Sequence, residues 1–166
     1  MGRHQFDFMV AEGLQPGHRL LDVGCGALRG GVHYIPYLDV GHYYGVDADD
    51  DLIDAGLLVE APAAGVDASH AHFHVTEDFD VDHWATRFDM AIAQSVFTHL
   101  PYPKVAQAFT MLRPWVDRFY ATYWPMWTGR RFSYDSADLE ELADGWSIRA
   151  IGDWGHPRGQ HIAEFT

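Results

Sequence analysis

The chain runs to 166 residues, 48% of them hydrophobic, enough for one domain with a packed core. Its 24 acidic against 11 basic side chains leave a formal net charge of −13, which argues against nucleic acid or an anionic membrane as partner, since both require a basic face. The lone cysteine, Cys25, excludes an internal disulfide and suits a reducing cytoplasm, and there is neither an apolar leader in residues 1–7 nor a run of ~18 apolar residues.

Phe6, Met9, Val10 and Leu14 recur at helical spacing and predict a helix over residues 4–13, ended by Gln15-Pro16-Gly17. Leu20–Val23 reads as strand one. A helix is predicted over 29–38, weakened or ended by Pro36, and strand two over 43–46. Asp49-Asp50-Asp51 then caps a helix to about Glu60, with acids near its positive end. His72–Val75 and Phe88–Ala93 read as strands three and four. Pro101-Tyr102-Pro103 opens a helix whose apolar face is Val105, Ala108, Phe109 and Leu112. Residues 119–123 read as strand five, Asp135-Ser136 caps a helix to about Ala143, and 146–151 and His161–Phe165 read as two final strands. Alternating strands and helices closed by a hairpin imply an α/β fold, mainly parallel, with an antiparallel strand at the end of the sheet. Ligands of such sheets bind beyond the carboxyl ends of the strands.

The densest signal is Leu20-Leu21-Asp22-Val23-Gly24-Cys25-Gly26-Ala27-Leu28-Arg29-Gly30-Gly31, a strand that ends in a glycine turn and opens into a helix. Glycines let the backbone approach a ligand closely, and the first helical N–H groups point at it. Asp47, about 20 residues further on at the tip of strand two, is placed to accept hydrogen bonds from ribose hydroxyls. The pattern is that of an adenosine-containing cofactor. A dinucleotide fingerprint puts a third glycine at 29, where this chain has Arg29, and no G-x-x-x-x-G-K-[ST] loop for a nucleoside triphosphate is present.

The segment Phe88-Asp89-Met90-Ala91-Ile92-Ala93-Gln94-Ser95-Val96-Phe97-Thr98-His99-Leu100-Pro101, taken with Leu21–Gly26, resembles class I S-adenosylmethionine-dependent methyltransferases. The closing Asp153-Trp154-Gly155-His156-Pro157-Arg158-Gly159-Gln160 resembles a subgroup of small bacterial members. The resemblance covers nearly the whole chain. It implies a Rossmann-like sandwich: a mainly parallel seven-stranded sheet in the order 3-2-1-4-5-7-6, last strand antiparallel, helices on both faces. It further implies S-adenosylmethionine as cofactor and S-adenosylhomocysteine as product. Gly24, Cys25 and Gly26 would pass under the methionine portion, Asp47 would bind the ribose, and Asp78 the adenine amino group, with Phe79 against the ring. Gln94 and Ser95 would lie beside the sulfonium, and Asp22, Ala48 and Glu77 complete the set. Arg29 would meet a cofactor or substrate carboxylate, or else brace the glycine loop. Three departures stand out: Ala27 in place of the last glycine of G-x-G-x-G, a mild change within this subgroup, and, on the acceptor side, one helix before strand one and a short link after strand five. The last two leave the acceptor wall thin and leave room for a homodimer that supplies it.

Methyl transfer from a sulfonium is an in-line displacement, in which the protein mainly holds nucleophile, methyl and sulfur in line. A general base is needed only when the nucleophile arrives protonated. His99, just past strand four, is the candidate base, with His156 and Tyr34 as alternatives. Tyr120, Tyr123, Trp124 and Trp127 follow strand five and either face a cationic or flat substrate or pack the rim. His70, His72 and His74 alternate as zinc or nickel ligands can. With no acid or cysteine nearby they read as surface or packing residues, and no metal is expected. Cys25 has no histidine neighbour and reads as packing under the cofactor. The expected function is methyl transfer from S-adenosylmethionine to an O, N or C nucleophile of a small molecule, in specialised metabolism. The alternatives are a cyclase or lyase using the same cofactor, a non-catalytic cofactor-binding module, or a nicotinamide oxidoreductase, which Arg29 disfavours.

Overall fold

The structure, a computed structural model, describes residues 1–166 apart from the side chain of Ser136. Among the described residues the elements are, in order, α1 (Gly2–Ala11), β1 (Leu20–Val23), α2 (Gly31–Tyr34), β2 (Tyr43–Asp47), α3 (Asp50–Ala55), α4 (Ala61–Ala63), β3 (His72–Val75), β4 (Phe88–Ala93), α5 (Tyr102–Leu112), β5 (Val116–Pro125), β6 (Ser133–Tyr134), α6 (Ser136–Leu142), β7 (Ile148–Asp153) and β8 (His161–Phe165). A π-helical stretch, Gly56–Glu60, joins α3 to α4. The sheet order is β3-β2-β1-β4-β5-β8-β7, with the two-residue β6 paired alongside β5. Set β6 aside and this is the 3-2-1-4-5-7-6 order expected. All pairings are parallel except those of β8, which runs antiparallel between β5 and β7.

Strand alternation sorts the buried side chains onto two faces. Leu21, Val23, Ala93, Phe119 and Phe165 pack with Val105, Ala108, Phe109 and Leu112 of α5 on one face. Leu20, Met90, Ile92, Tyr120 and Ile162 meet Met9 of α1, Tyr34 and Ile53 on the other. Helix starts follow local chemistry. The Asp49 side chain accepts from Leu52 N–H, and Asp135 and Asp138 form a reciprocal capping box at α6.

Four boundaries differ from the sequence reading. The helix predicted over 29–38 is regular only at Gly31–Tyr34, because Pro36 supplies no N–H and the chain turns, with Tyr37 and Leu38 both donating to Tyr34 O. α1 begins two residues earlier than predicted. β5 is twice the predicted length: Arg118, which reads as a loop residue, finds a carboxylate on the neighbouring strand. The last hairpin starts at Ile148, since Trp146 turns inward and donates from Nε1 to Phe109 O. No helix among the described residues is long and apolar enough to cross a membrane.

Candidate functional site

The chain winds outward from β1 through β2 to β3 and then returns to β4 on the other side of β1, so the strand order reverses at β1 and β4. A crevice opens beyond the carboxyl ends of strands at such a reversal. Here it is a cavity of about 590 Å³. Of the residues singled out from sequence, Asp22, Gly24, Cys25, Gly26, Arg29, Asp47, Ala48, Glu77, Phe79, Gln94, Ser95 and His99 all line it.

The glycine turn is shaped by two constraints. Gly24 has φ +71°, and a Cβ there would lie 2.4 Å from Cγ2 of Val96, so the turn fits against the loop after β4 only without a side chain. Gly26 N–H donates to Asp47 Oδ2 at 2.8 Å, and Asp49 N–H donates to Asp47 Oδ1 at 3.0 Å. Each carboxylate oxygen keeps a lone pair for a ligand hydroxyl. Beneath the turn, Asp22 is buried and accepts a 2.7 Å bond from Tyr43 OH. Burial pushes its pKa up to about 7, against the Tyr43 hydrogen bond and with help from the Asp47 charge. Cys25 is buried as well, and its thiol is pushed far up by burial and by Asp22 and Asp47. It is a packed thiol rather than a thiolate nucleophile. Two non-glycine residues with left-handed backbone line the cavity, Phe79 (φ 60°) and Ser95 (φ 63°), and a third, Leu28 (φ 58°), is buried in the core behind the turn. Such conformations persist only where surrounding structure over-determines them, and they cluster at binding sites.

One expected contact is corrected. Asp78 is not on the cavity wall. Its Oδ1 accepts from Lys104 Nζ at 3.0 Å and from Gln107 Nε2 at 3.1 Å, and these bonds hold its pKa below the usual carboxylate range. The turn after β3 carries Asp78 outward because Asp78 N–H and Asp80 N–H both donate to Thr76 Oγ1. The cavity wall beyond β3 is therefore formed by Thr76, Glu77 and Phe79.

α1 forms a wall that the sequence did not specify. Met1, Gly2 and Gln5 line the cavity. A Cβ on Gly2 would sit 1.6 Å from the backbone oxygen of Arg29, and one on Gly30 would sit 1.7 Å from Nε2 of Gln5. Helix and glycine loop thus interlock, backbone to backbone at Gly2 and through the Gln5 side chain at Gly30.

At the far end lies a polar network that joins β4, β5 and the β7–β8 loop. Ser95 N–H donates to Thr122 Oγ1 at 2.7 Å, Gln160 Nε2 to Ser95 Oγ at 2.9 Å, and Arg158 N–H to His156 Nδ1 at 3.1 Å. Nε2 of Gln94 lies 3.2 Å from Nε2 of His156 and 2.7 Å from Ser95 Oγ. Thr122, His156 and Gln160 are buried, and burial, with nearby His4 and Arg158, lowers the His156 pKa. Thr122 and Gln160 were missed because their partners are 27 and 65 residues away in sequence. The only local signal was the dense polar, Gly and Pro content of residues 153–160.

Three candidates for chemistry are placed elsewhere. Tyr34 is buried in α2, off the cavity wall, with its OH unpartnered. None of the four aromatics after β4 lines the cavity: Tyr120 OH donates to Glu164 at 2.7 Å, Tyr123 and Trp124 are buried, and Trp127 faces solvent at 77% exposure. His72 stacks on Tyr44 and His74 against His83. The one group with metal-ligand spacing among the described residues is Asp80, Asp82 and His83, not the alternating histidines.

No family model and no curated relative matches the chain. Solved structures do. The magnesium protoporphyrin IX methyltransferase of Synechocystis, with S-adenosylmethionine bound, matches with TM-score 0.77 at 20% identity, over 99% of this chain and 79% of that one. A S-adenosylmethionine-dependent methyltransferase of Clostridium acetobutylicum gives 0.76 at 8% identity, covering 99% and 90%. The CcbJ methyltransferase of Streptomyces caelestis gives 0.73 at 13%, covering 99% and 94%. Identities this low speak for architecture, and with the strand order they settle it: the chain has the fold of class I S-adenosylmethionine-dependent methyltransferases.

Proposed function

We propose that the chain is a one-domain methyltransferase that uses S-adenosylmethionine to methylate a small molecule. The observation that carries this reading is Asp47: an acid at the tip of β2, held by the glycine-turn N–H, with free lone pairs facing a cavity that continues past Gln94 to His99. The residues present fit the cofactor. Asp47 accepts from the ribose, Phe79 and Glu77 take the adenine end, and the Gly24–Gly26 turn underlies the methionine part, with Arg29 for its carboxylate. When bound, S-adenosylmethionine supplies a methyl activated by its sulfonium and is left as S-adenosylhomocysteine.

The chain's own contribution is mainly alignment, which the rigid β4 end and its network provide. His99 is the base for a hydroxyl or ammonium acceptor. It stands exposed on the cavity wall with no side-chain hydrogen bond among the described residues, whereas both ring nitrogens of His156 are engaged. Replacing it, as His99→Ala, lowers kcat about 10²–10⁴-fold for a protonated acceptor and leaves S-adenosylhomocysteine binding intact. The acidic surface speaks for a small acceptor over a nucleic acid.

Two measurements test the reading. S-adenosylhomocysteine raises the melting temperature and NAD does not. With S-adenosylmethionine and an acceptor panel, mass spectrometry finds S-adenosylhomocysteine. Methylthioadenosine in its place means a cyclase or lyase, and binding without turnover means a non-catalytic module.

A further inference from the structure

We infer that the acceptor carries a carboxylate or like oxyanion, held by the side-chain NH2 of Gln94 and by Arg158; this rests on reading the cavity as a methyltransferase site. The starting point is a hydrogen bond whose direction is fixed. The backbone N–H of Arg158, 3.1 Å from His156 Nδ1, only donates. Nδ1 is therefore the bare nitrogen, and the neutral ring carries its proton on Nε2. That Nε2 lies 3.2 Å from Nε2 of Gln94, where two N–H groups would face each other. The conflict goes when the Gln94 amide is turned over, which sets its oxygen opposite His156; the bonds an amide makes decide which way round it sits.

The rest of the network then closes. The Ser95 hydroxyl, 2.7 Å from the same amide atom, donates to the Gln94 oxygen; the Gln160 amide atom 3.0 Å from Ser95 Oγ and 3.5 Å from that oxygen must then be its NH2, so the Gln160 amide turns over with it. His156 is 5% exposed, and a buried donor that faces another donor in place of an acceptor is expensive.

The consequence reaches the ligand. Gln94 lines the cavity, its oxygen is used up by the protein, and its NH2 is what remains for a bound molecule. The charges nearby act in the same direction. Lys104 on this wall is paired with Asp78. Arg29 and Arg158, also on the wall, have no ion-pair partner among the described residues. Arg29 is taken by the cofactor's own carboxylate, which leaves Arg158, two residues from His156. An amide NH2 and a guanidinium offer donors only, the complement of a carboxylate; an ammonium would find no acceptor there.

The test uses protein saturated with S-adenosylhomocysteine, saturation being checked by calorimetry. Imidazole ¹⁵N NMR, with the His156 signals identified by their loss in His156→Gln, is expected to show Nε2 protonated and Nδ1 bare at neutral pH. A proton on Nδ1 overturns the inference. Benzoate, benzamide and benzylamine, one shape with three charges, are then titrated in. Benzoate is expected to bind at least about tenfold more tightly than the other two, and Arg158→Met, at an exposed position, to remove about tenfold of that affinity. No preference for benzoate, or a preference that survives Arg158→Met, overturns it. Failure to bind S-adenosylhomocysteine overturns the methyltransferase reading itself, whereas binding it without preferring benzoate overturns the acceptor class alone.

Discussion

Asp47 and Asp22 sit one strand apart and are opposite in character. Asp47 has two backbone donors and an open side, so Asp47→Ala removes both the proposed ribose contact and the brace on Gly26. Calorimetry is expected to show S-adenosylhomocysteine affinity falling by about tenfold or more, with the circular-dichroism spectrum unchanged. Asp22 is a carboxyl kept in a dry place, its pKa raised from 3.8 to about 7. The folded state then binds the proton more tightly than the unfolded chain does, so stability falls as pH rises from about 4 to about 7 and is level above that. Asp22→Asn keeps an acceptor for Tyr43 and removes the charge. Its melting temperature is expected to exceed that of the parent above pH 7, by a stability difference of at most about 4 kcal/mol, and the gap to close by pH 4; a constant gap from pH 4 to 8 counts against it. At this scale the sequence was legible where chemistry is local. The glycine turn with Asp22 and Asp47 is one strand–turn–helix unit and its spacing is its geometry. The choice between Glu77 and Asp78 was not legible, because neighbouring acids point apart and the turn held by Thr76 Oγ1 decides which one faces inward.

At the scale of elements, the α1–loop contact is the feature with most at stake. Gly2 and Gly30 have no room for a methyl group, and in each case the obstruction is α1 docking on the loop. Gly2→Ala, whose methyl would meet the Arg29 backbone, is expected to destabilise by about 1–3 kcal/mol. It should also speed amide exchange throughout α1 before exchange in β1 or β4 changes. Uniform acceleration across the sheet would instead mean that α1 is no separable wall. Helix existence was readable from the spacing of Phe6, Met9 and Val10, and so was the buried face of α5. Lengths were not: α2 is cut by a proline whose effect depends on the tertiary turn after it, and β5 extends through Arg118 only because Glu164 awaits it on β8.

Across the whole molecule, one ionic cluster ties the first helix to the last strands. Glu164 accepts from Arg118 Nε at 2.8 Å, from Tyr120 OH at 2.7 Å and from Arg149 Nε at 2.5 Å, while Arg118 Nη1 reaches the backbone oxygen of Glu12 at 2.9 Å. Burial alone would raise the Glu164 pKa, but the bonds from Arg149, Tyr120 and Arg118 outweigh it and lower the value. Its contribution is therefore present above the ordinary glutamate range and is lost as pH falls through the folded pKa, the reverse of Asp22. Glu164→Gln, which leaves two arginines facing a neutral amide, is expected to cost about 1–3 kcal/mol at pH 7 in urea unfolding, less at pH 3. Equal losses at both pH values would show that the charge is not what matters. None of this cluster was legible, since it joins residues 12, 118, 149 and 164.

The position of β8 between β5 and β7 has a consequence for how the protein is made. The glycine turn lies within the first 31 residues, yet two walls of its cavity depend on residues far later in the sequence: Gln160 and His156 brace Gln94 and Ser95, and Glu164 anchors the arginines that grip the end of α1. A nascent chain therefore carries the glycine-turn side of the cavity long before the side braced by the β7–β8 loop. The complete cavity forms only once β8 has slid into the gap between β5 and β7.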